Sequence, residues 1–250
     1  MLEFQKVCVK KQGKTIINDI SLKAEKGKIT ALLGKNGSGK STLLGTASTS
    51  EKYKGKILLT GEDISDISPR ERAKKLALLP QILPHSPLSV ASLVAFGRNP
   101  YVGSAGILGE KDKSAITSAI RRAGLWEMRE RPLDTLSGGE RKRAFIALLL
   151  AQETPVILLD EPCAELDAEA SYEILTLLRE LADEGKTVLT SLHQLSHAVE
   201  FADNIAIMEK GQLVYSGDKN NALNCGIIEK SFGLKSCKIK DGDTEKTLFY

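Results

Sequence analysis

The sequence predicts an α/β fold: a largely parallel sheet, an antiparallel β element at the N-terminus and a helical insertion in the middle. Three observations carry this. Short runs such as "KITALLG" (28–34) and "PVILLD" (155–160) are apolar throughout, as in strands buried on both faces of a parallel sheet. Helical patterns separate many of the later runs. Between Gln81 and Glu153 the strand patterns stop and helical ones take over.

Taken in order, "LEFQKVCV" (2–9) and "TIINDISLKA" (15–24) are joined by a polar turn with no helix, which predicts antiparallel pairing. "KITALLG" (28–34), "GKILLTG" (55–61) and "KLALLPQ" (75–81) follow as further strands. After the helical block come "PVILLD" (155–160), "KTVLTS" (186–191), "NIAIME" (204–209) and "QLVYSG" (212–217). The helix "EASYEILTLLRELADEG" (169–185) ends on Gly185, suited to the left-handed position just past a helix. We expect one domain over 1–250, with 1–81 and 153–250 as the α/β core and 82–152 as the insertion.

Composition narrows the function classes. With 42% hydrophobic and 27% charged residues the chain reads as ordinary globular protein. A net charge of +3 is too small to argue for a nucleic-acid partner, and none is expected. Cys8, Cys163, Cys225 and Cys237 form no metal-ligand spacing and read as reduced cytosolic thiols. The start "MLEFQKVCVK" lacks the apolar region of a secretory signal. The longest apolar stretch, Ala144 to Ala151, is about half of what a membrane span needs. Any membrane role is therefore expected to come through a partner.

Residues 34–42 read "GKNGSGKST", which fits G-x-x-x-x-G-K-[ST] between a strand and a helical segment. Glycines let the backbone curl so that N–H groups point at phosphate oxygens, and the helix N-terminus adds partial positive charge. Gly34, Lys35, Asn36, Gly37, Ser38, Gly39, Lys40, Ser41 and Thr42 are the predicted nucleotide-binding residues. Lys40 is expected to reach the β/γ-phosphates, and the Ser41 hydroxyl to ligate Mg²⁺. At ordinary residue usage a chance match in a chain of this length has odds of about 1%. The expected core is therefore that of a P-loop NTPase, of RecA-like type, binding ATP and Mg²⁺.

The strand "VILLD" ends in two adjacent acids, Asp160 and Glu161, followed by Pro162. A buried carboxylate is expensive without a partner. A P-loop nucleotide needs a second magnesium contact, and Asp160 at the strand end suits it. Hydrolysis needs a group to polarise the attacking water, and Glu161 is the candidate.

Residues 136–140 read "LSGGE". Ser137 and Glu140 make a capping box for the helical "RKRAFIALLLAQ". Capping does not require Gly138 and Gly139, whose bare N–H groups beside a hydroxyl make a second anion site. One ATP has one γ-phosphate, and the first loop already holds it. A second site in one chain points to two copies arranged head to tail.

The set "GKNGSGKST", "LLPQ", "LSGGERKRAFIA", "VILLDEP", "ELD" and "TSLHQLSHA" resembles the ATP-binding subunit of an ABC transporter, in that family's order and over nearly the whole chain. The resemblance implies the ABC ATPase fold and a homodimer with each ATP between one phosphate loop and the other copy's signature segment. It implies that Gln81 touches magnesium or water and senses the membrane subunits. It implies that Ser137, Gly138 and Gly139 contact the partner's γ-phosphate, that Leu166 and Asp167 form the D-loop, and that His193 is the switch histidine. Glu161, His193, Lys40 and Gln81 are thus the catalytic set, with Ser41, Gln81 and Asp160 toward the metal. The implied partners are two integral-membrane permease subunits and, indirectly, a solute-binding protein. The implied location is peripheral, at the cytoplasmic face of the membrane. His85 and His197 match no motif.

"LVAFGRNPYVG" (93–103) is similar to the "GRxPY" segment of importer ATPases for iron–siderophore complexes, haem and cobalamin, with molybdate or tungstate relatives. The alternative to import is a non-transport ABC ATPase such as a cluster-assembly ATPase. Four positions depart from the family pattern. Lys11 stands near where many members stack an aromatic on adenine, so adenine preference is expected to be weaker, unless the aliphatic stem of Lys11 serves instead. Lys142 and Leu148 replace the frequent Gln and Arg. Cys163 stands where Thr or Ser is common, and the neighbouring acids argue against a reactive thiol.

Overall fold

A computed structural model describes residues 1–103, 106–241 and 244–250. Strands β1 (Leu2–Lys11) and β2 (Lys14–Ala24) pair antiparallel. In β1 the buried residues change phase, from Leu2 and Phe4 to Val7 and Val9. A bulge between Phe4 and Val7, with Lys6 at φ 50°, absorbs the extra residue and keeps all four on the core face. β3 (Ile29–Leu33) is buried throughout and leads into helix α1 (Lys40–Ala47). β4 (Lys54–Leu59) and β5 (Glu62–Asp63) complete an antiparallel sheet of order β2-β1-β4-β5.

Helix α2 (Pro69–Lys75) starts on Pro69, with the Ser68 hydroxyl accepting from the Glu71 N–H. It shortens the strand expected at 75–81 to β6 (Leu76–Leu79), because Pro80 has no N–H to give the ladder. Helices α3 (Val90–Ala95), α4 (Glu110–Arg122) and α5 (Gly138–Ala151) follow before β7 (Val156–Asp160). Then come α6 (Ala168–Asp183), β8 (Thr187–Ser191), α7 (Leu195–Phe201), β9 (Asn204–Glu209) and β10 (Gln212–Asp218). Gly185 takes φ 91° just past α6, as its position predicts. Two short helices, α8 (Lys219–Asn224) and α9 (Ile227–Phe232), precede a hairpin of β11 (Ser236–Asp241) and β12 (Thr244–Phe249) that the sequence reading missed.

The central sheet has the order β10-β9-β3-β8-β7-β6. It is parallel from β9 to β6, with β10 antiparallel at one edge. One apolar cluster lies between this sheet and the helices, and a second joins it to the antiparallel sheet and α1. The carboxyl ends of β3, β7 and β8 therefore open at one end of the sheet, the usual place for a ligand in an open parallel sheet.

Candidate functional site

The phosphate loop leaves the end of β3 and closes onto α1. Gly34, Gly37 and Gly39 take φ of 150°, 78° and 106°, which other residues rarely adopt. A Cβ on Gly34 would lie 2.4 Å from the Met208 carbonyl oxygen and 2.7 Å from Ser38 Oγ. Lys40 is only 5% exposed, and its Nζ donates to the Gly34 carbonyl at 2.8 Å, folding it back over the loop. Ser38 Oγ is buried without a hydrogen-bond partner among the described residues. A cradle with an unpaired hydroxyl and a folded-back ammonium suits polyphosphate oxygens.

The two acids at the end of β7 differ in setting. Asp160 is 6% exposed and accepts from Ser191 Oγ at 2.6 Å. Glu161 takes φ 50°, and its N–H donates to the same Ser191 Oγ at 2.8 Å. The Glu161 carboxylate accepts from Gln81 Nε2 at 2.8 Å. Ser191 and Ile16 were missed from sequence. The signal for Ser191 was a hydroxyl residue at the end of the strand run "KTVLTS", two positions before His193.

These parts converge on one cleft of about 440 Å³, lined by Ile16, residues 36–42, Gln81, Glu161 and His193. His193 is exposed and reaches the cleft from the loop after β8. Lys11 is not among the lining residues, and its ammonium pairs with Glu51. The apolar side chain in the cleft is Ile16. Ser41 and Gln81 line the cleft, whereas Gly34, Lys35 and the buried Asp160 are not among its lining residues. Ser41, Gln81 and Asp160 carry hydroxyl, amide and carboxylate oxygens, the hard donors that Mg²⁺ takes alongside phosphate and water.

The signature residues lie in a different cleft. Ser137, Gly138, Gly139, Leu166 and Asp167 line it together with Glu140 and Arg143. The capping box is present: the Ser137 N–H donates to the Glu140 carboxylate at 2.8 Å, and the Glu140 N–H to Ser137 Oγ at 3.3 Å. The first of these bonds holds the Glu140 carboxyl below its ordinary range. Asp167 caps α6 by accepting from the Ala170 N–H at 2.8 Å.

Cys163 packs against the apolar core, its Sγ 3.8 Å from the Ser171 carbonyl. Burial pushes its thiol up to about 11. It is burial, more than the acids beside it, that keeps this thiol unreactive. Lys142 is 6% exposed, and burial lowers the pKa of its ammonium. In the "GRNPY" segment Gly97 and Arg98 are buried as well. Arg98 donates to Asp112 at 2.9 Å, to Glu153 at 2.6 Å and to the Ala151 carbonyl at 2.7 Å, with its guanidinium 4.0 Å from the Tyr101 ring centre. Tyr101 Oη donates to the Gln152 carbonyl at 2.9 Å. This segment ties the end of α5 to the first turn of α4.

Residues 17–164 match the family described as ABC transporter. The iron(3+)-hydroxamate import ATP-binding protein FhuC of Bacillus subtilis is 38% identical over 93% of this chain and 88% of its own length. The achromobactin transport ATP-binding protein CbrD of Dickeya dadantii is 40% identical over 91% of this chain and 85% of its own. The ferric enterobactin transport ATP-binding protein FepC of Escherichia coli is 35% identical over 91% and 85%. A chain from an inward-facing ABC transporter structure superposes with a TM-score of 0.86 at 26% identity, over 100% of this chain and 96% of its own. The dimeric ABC transporter cassette MJ0796 gives 0.78 at 26% identity, over 88% and 99%.

Proposed function

The chain belongs to the ABC transporter family, and from that premise we propose that it is the ATP-hydrolysing subunit of an importer for iron–siderophore complexes. The observation that carries the reading is the single cleft joining the phosphate loop, Gln81, Glu161 and His193. The cargo class rests on relatives named for iron(3+)-hydroxamate, achromobactin and ferric enterobactin.

In this reading residues 34–42 hold the triphosphate, and Ser41, Asp160 and Gln81 hold magnesium. Bound there, magnesium would neutralise charge on the β- and γ-phosphates. Glu161 orients and deprotonates the attacking water, and Gln81 steadies its carboxylate. Lys40 and His193 stabilise negative charge on the transferred phosphoryl group. Two copies close head to tail, so that Ser137, Gly138, Gly139 and Asp167 of one complete the site of the other.

The glycines support that pairing. A Cβ on Gly138 would meet nothing within 4 Å, and neither Gly138 nor Gly139 has a positive φ. Nothing among the described residues calls for glycine there, whereas close approach by a second copy's phosphate does. Among the described residues no helix is long and apolar enough to cross a membrane. The membrane path is assigned to two permease subunits, docked at the cytoplasmic face near Gln81. Ile82, beside it, is 85% exposed, and Leu88 and Phe96 of the helical block are exposed as well. We place the domain boundary as the sequence does, with 82–152 as the insertion carrying the signature segment.

The test is co-expression with a permease of about ten spans and its solute-binding protein, followed by reconstitution in vesicles. The expected result is co-purification and an ATPase rate raised by ferric siderophore on the binding protein. Failure to co-purify, with a rate indifferent to ferric siderophores, would overturn the importer reading.

A further inference from the structure

We propose that Ser191 is a positioning residue for ATP hydrolysis, its hydroxyl locking the Asp160 carboxylate to the main chain of Glu161. The proposal rests on the roles given above to Asp160 and Glu161, and it extends them to a residue of the "TSLHQLSHA" segment to which the resemblance gave no role.

The placement follows from the sheet. β7 and β8 are parallel neighbours, with Asp160 paired to Ser191 in register. In-register neighbours send their side chains to the same face, so the hydroxyl and the carboxylate meet at the strand ends. A hydroxyl has one proton. Asp160 as carboxylate can only accept, so that proton goes to Asp160 Oδ1 at 2.6 Å. The Glu161 N–H at 2.8 Å then donates into a hydroxyl lone pair. The direction of both bonds is therefore determined, and Ser191 is fully buried, so water does not compete for them.

Each end of this chain of bonds has a consequence. At one end the Asp160 carboxylate is held in one orientation. At the other, Glu161 sits at φ 50°, a region uncommon for a residue with a side chain. Such a conformation persists only where surrounding contacts hold it. The bond to Ser191 is one of those contacts, and it aims the Glu161 side chain toward Gln81 and the cleft. His193 stands two residues further along the same chain, so Ser191 also joins the histidine segment to the acid pair.

The experiment uses the full chain with Ser191→Ala and Ser191→Thr, and Glu161→Gln as a control. Loss of the hydroxyl in Ser191→Ala is expected to lower kcat about 10- to 100-fold with little change in KM for ATP, as for a misplaced catalytic group. The magnesium concentration for half-maximal rate is expected to rise. In nucleotide-free protein the Glu161 amide is expected to exchange its hydrogen about tenfold faster or more. Ser191→Thr keeps the hydroxyl and is expected to restore all three. Wild-type kcat, magnesium dependence and Glu161 exchange in Ser191→Ala would overturn the proposal. So would equal impairment of the Ala and Thr variants, which would mark a packing role. Should Ser191→Ala not fold, near-normal exchange and rate in Ser191→Thr would sustain the proposal, and Ser191→Cys with wild-type values would overturn it. Wild-type hydrolysis by Glu161→Gln would instead sink the role given to Glu161, while the amide exchange would still decide the Ser191 link.

Discussion

Two glycine-bearing loops of this chain look alike on paper and differ in space. In the phosphate loop, Gly34 and Gly39 have positive φ, and added side chains there would press on Met208 or on the Ile16 carbonyl. Lys40 is folded back and buried. The chain's own packing demands those glycines. In the signature segment, Gly138 and Gly139 have ordinary helical conformation, with nothing within 4 Å of a Cβ on Gly138. The first loop is finished within one chain, and the second is left open. Glycine that packing requires answers to the fold, and glycine that packing does not require answers to something outside it.

The largest expected effect tests the finished side. Glu161→Gln should slow hydrolysis by about 10²- to 10⁴-fold, the usual worth of a general base, while ATP binding and ATP-dependent self-association persist. Turnover assays with light scattering measure both, and near-normal turnover would break the assignment. Next, Gly34→Ala should lower stability by about 1–3 kcal/mol through overpacking against Met208 and abolish ATP binding. Chemical denaturation and nucleotide titration are the measurements.

Gly138→Ala is the counterpart in the open loop. Its midpoint of unfolding should stay level or rise, since Ala favours a helix over Gly by up to about 1 kcal/mol. Self-association and hydrolysis should fall at least about tenfold, as when one phosphate-facing donor is lost. A drop in stability with association intact would erase the contrast between the loops.

Smaller effects concern the cap and the thiol. Ser137→Ala should remove about 1 kcal/mol of stability. The Glu140 carboxyl is held below its ordinary 4.5 by the Ser137 N–H. Its contribution is therefore present above that value and is lost as pH falls through the lowered one. Acid unfolding of Glu140→Gln should accordingly show a flatter limb below pH 4.5. For Cys163 the sign is opposite. Its thiol is raised from 9.0 to about 11, so native stability should decline between those pH values as the unfolded chain ionises first. Cys163→Ser should remove that decline. At neutral pH a thiol reagent should label exposed Cys225 and Cys237 well before Cys163.

Much of the fold and the cleft was legible in the sequence because the signals are local. The phosphate loop announces itself by glycines at fixed spacing between strand and helix. The capping box at Ser137 and Glu140, the acids ending β7 and the Gly185 stop are each written within a few residues. What was not legible depends on which segments become neighbours. Strand β6 is short because of α2 and Pro80, and the β11–β12 hairpin carried too little apolar pattern to read. Cys163 and Arg98 look like surface letters until the helices close over them.

The sequence by itself determined that residues 34–42 form a glycine-rich loop between a strand and a helix, that Asp160 and Glu161 stand at a strand end, and that a capped helix begins at Ser137. Only the tertiary structure decided that Gln81 reaches Glu161, that the two glycine loops open into separate clefts, and that Ser191 bridges the two acids. The reason is physical. Backbone conformation and capping are set by near neighbours in the chain, while contacts across a parallel sheet are set by strand order. The order β10-β9-β3-β8-β7-β6, which puts Ser191 beside Asp160, has no signature within either strand.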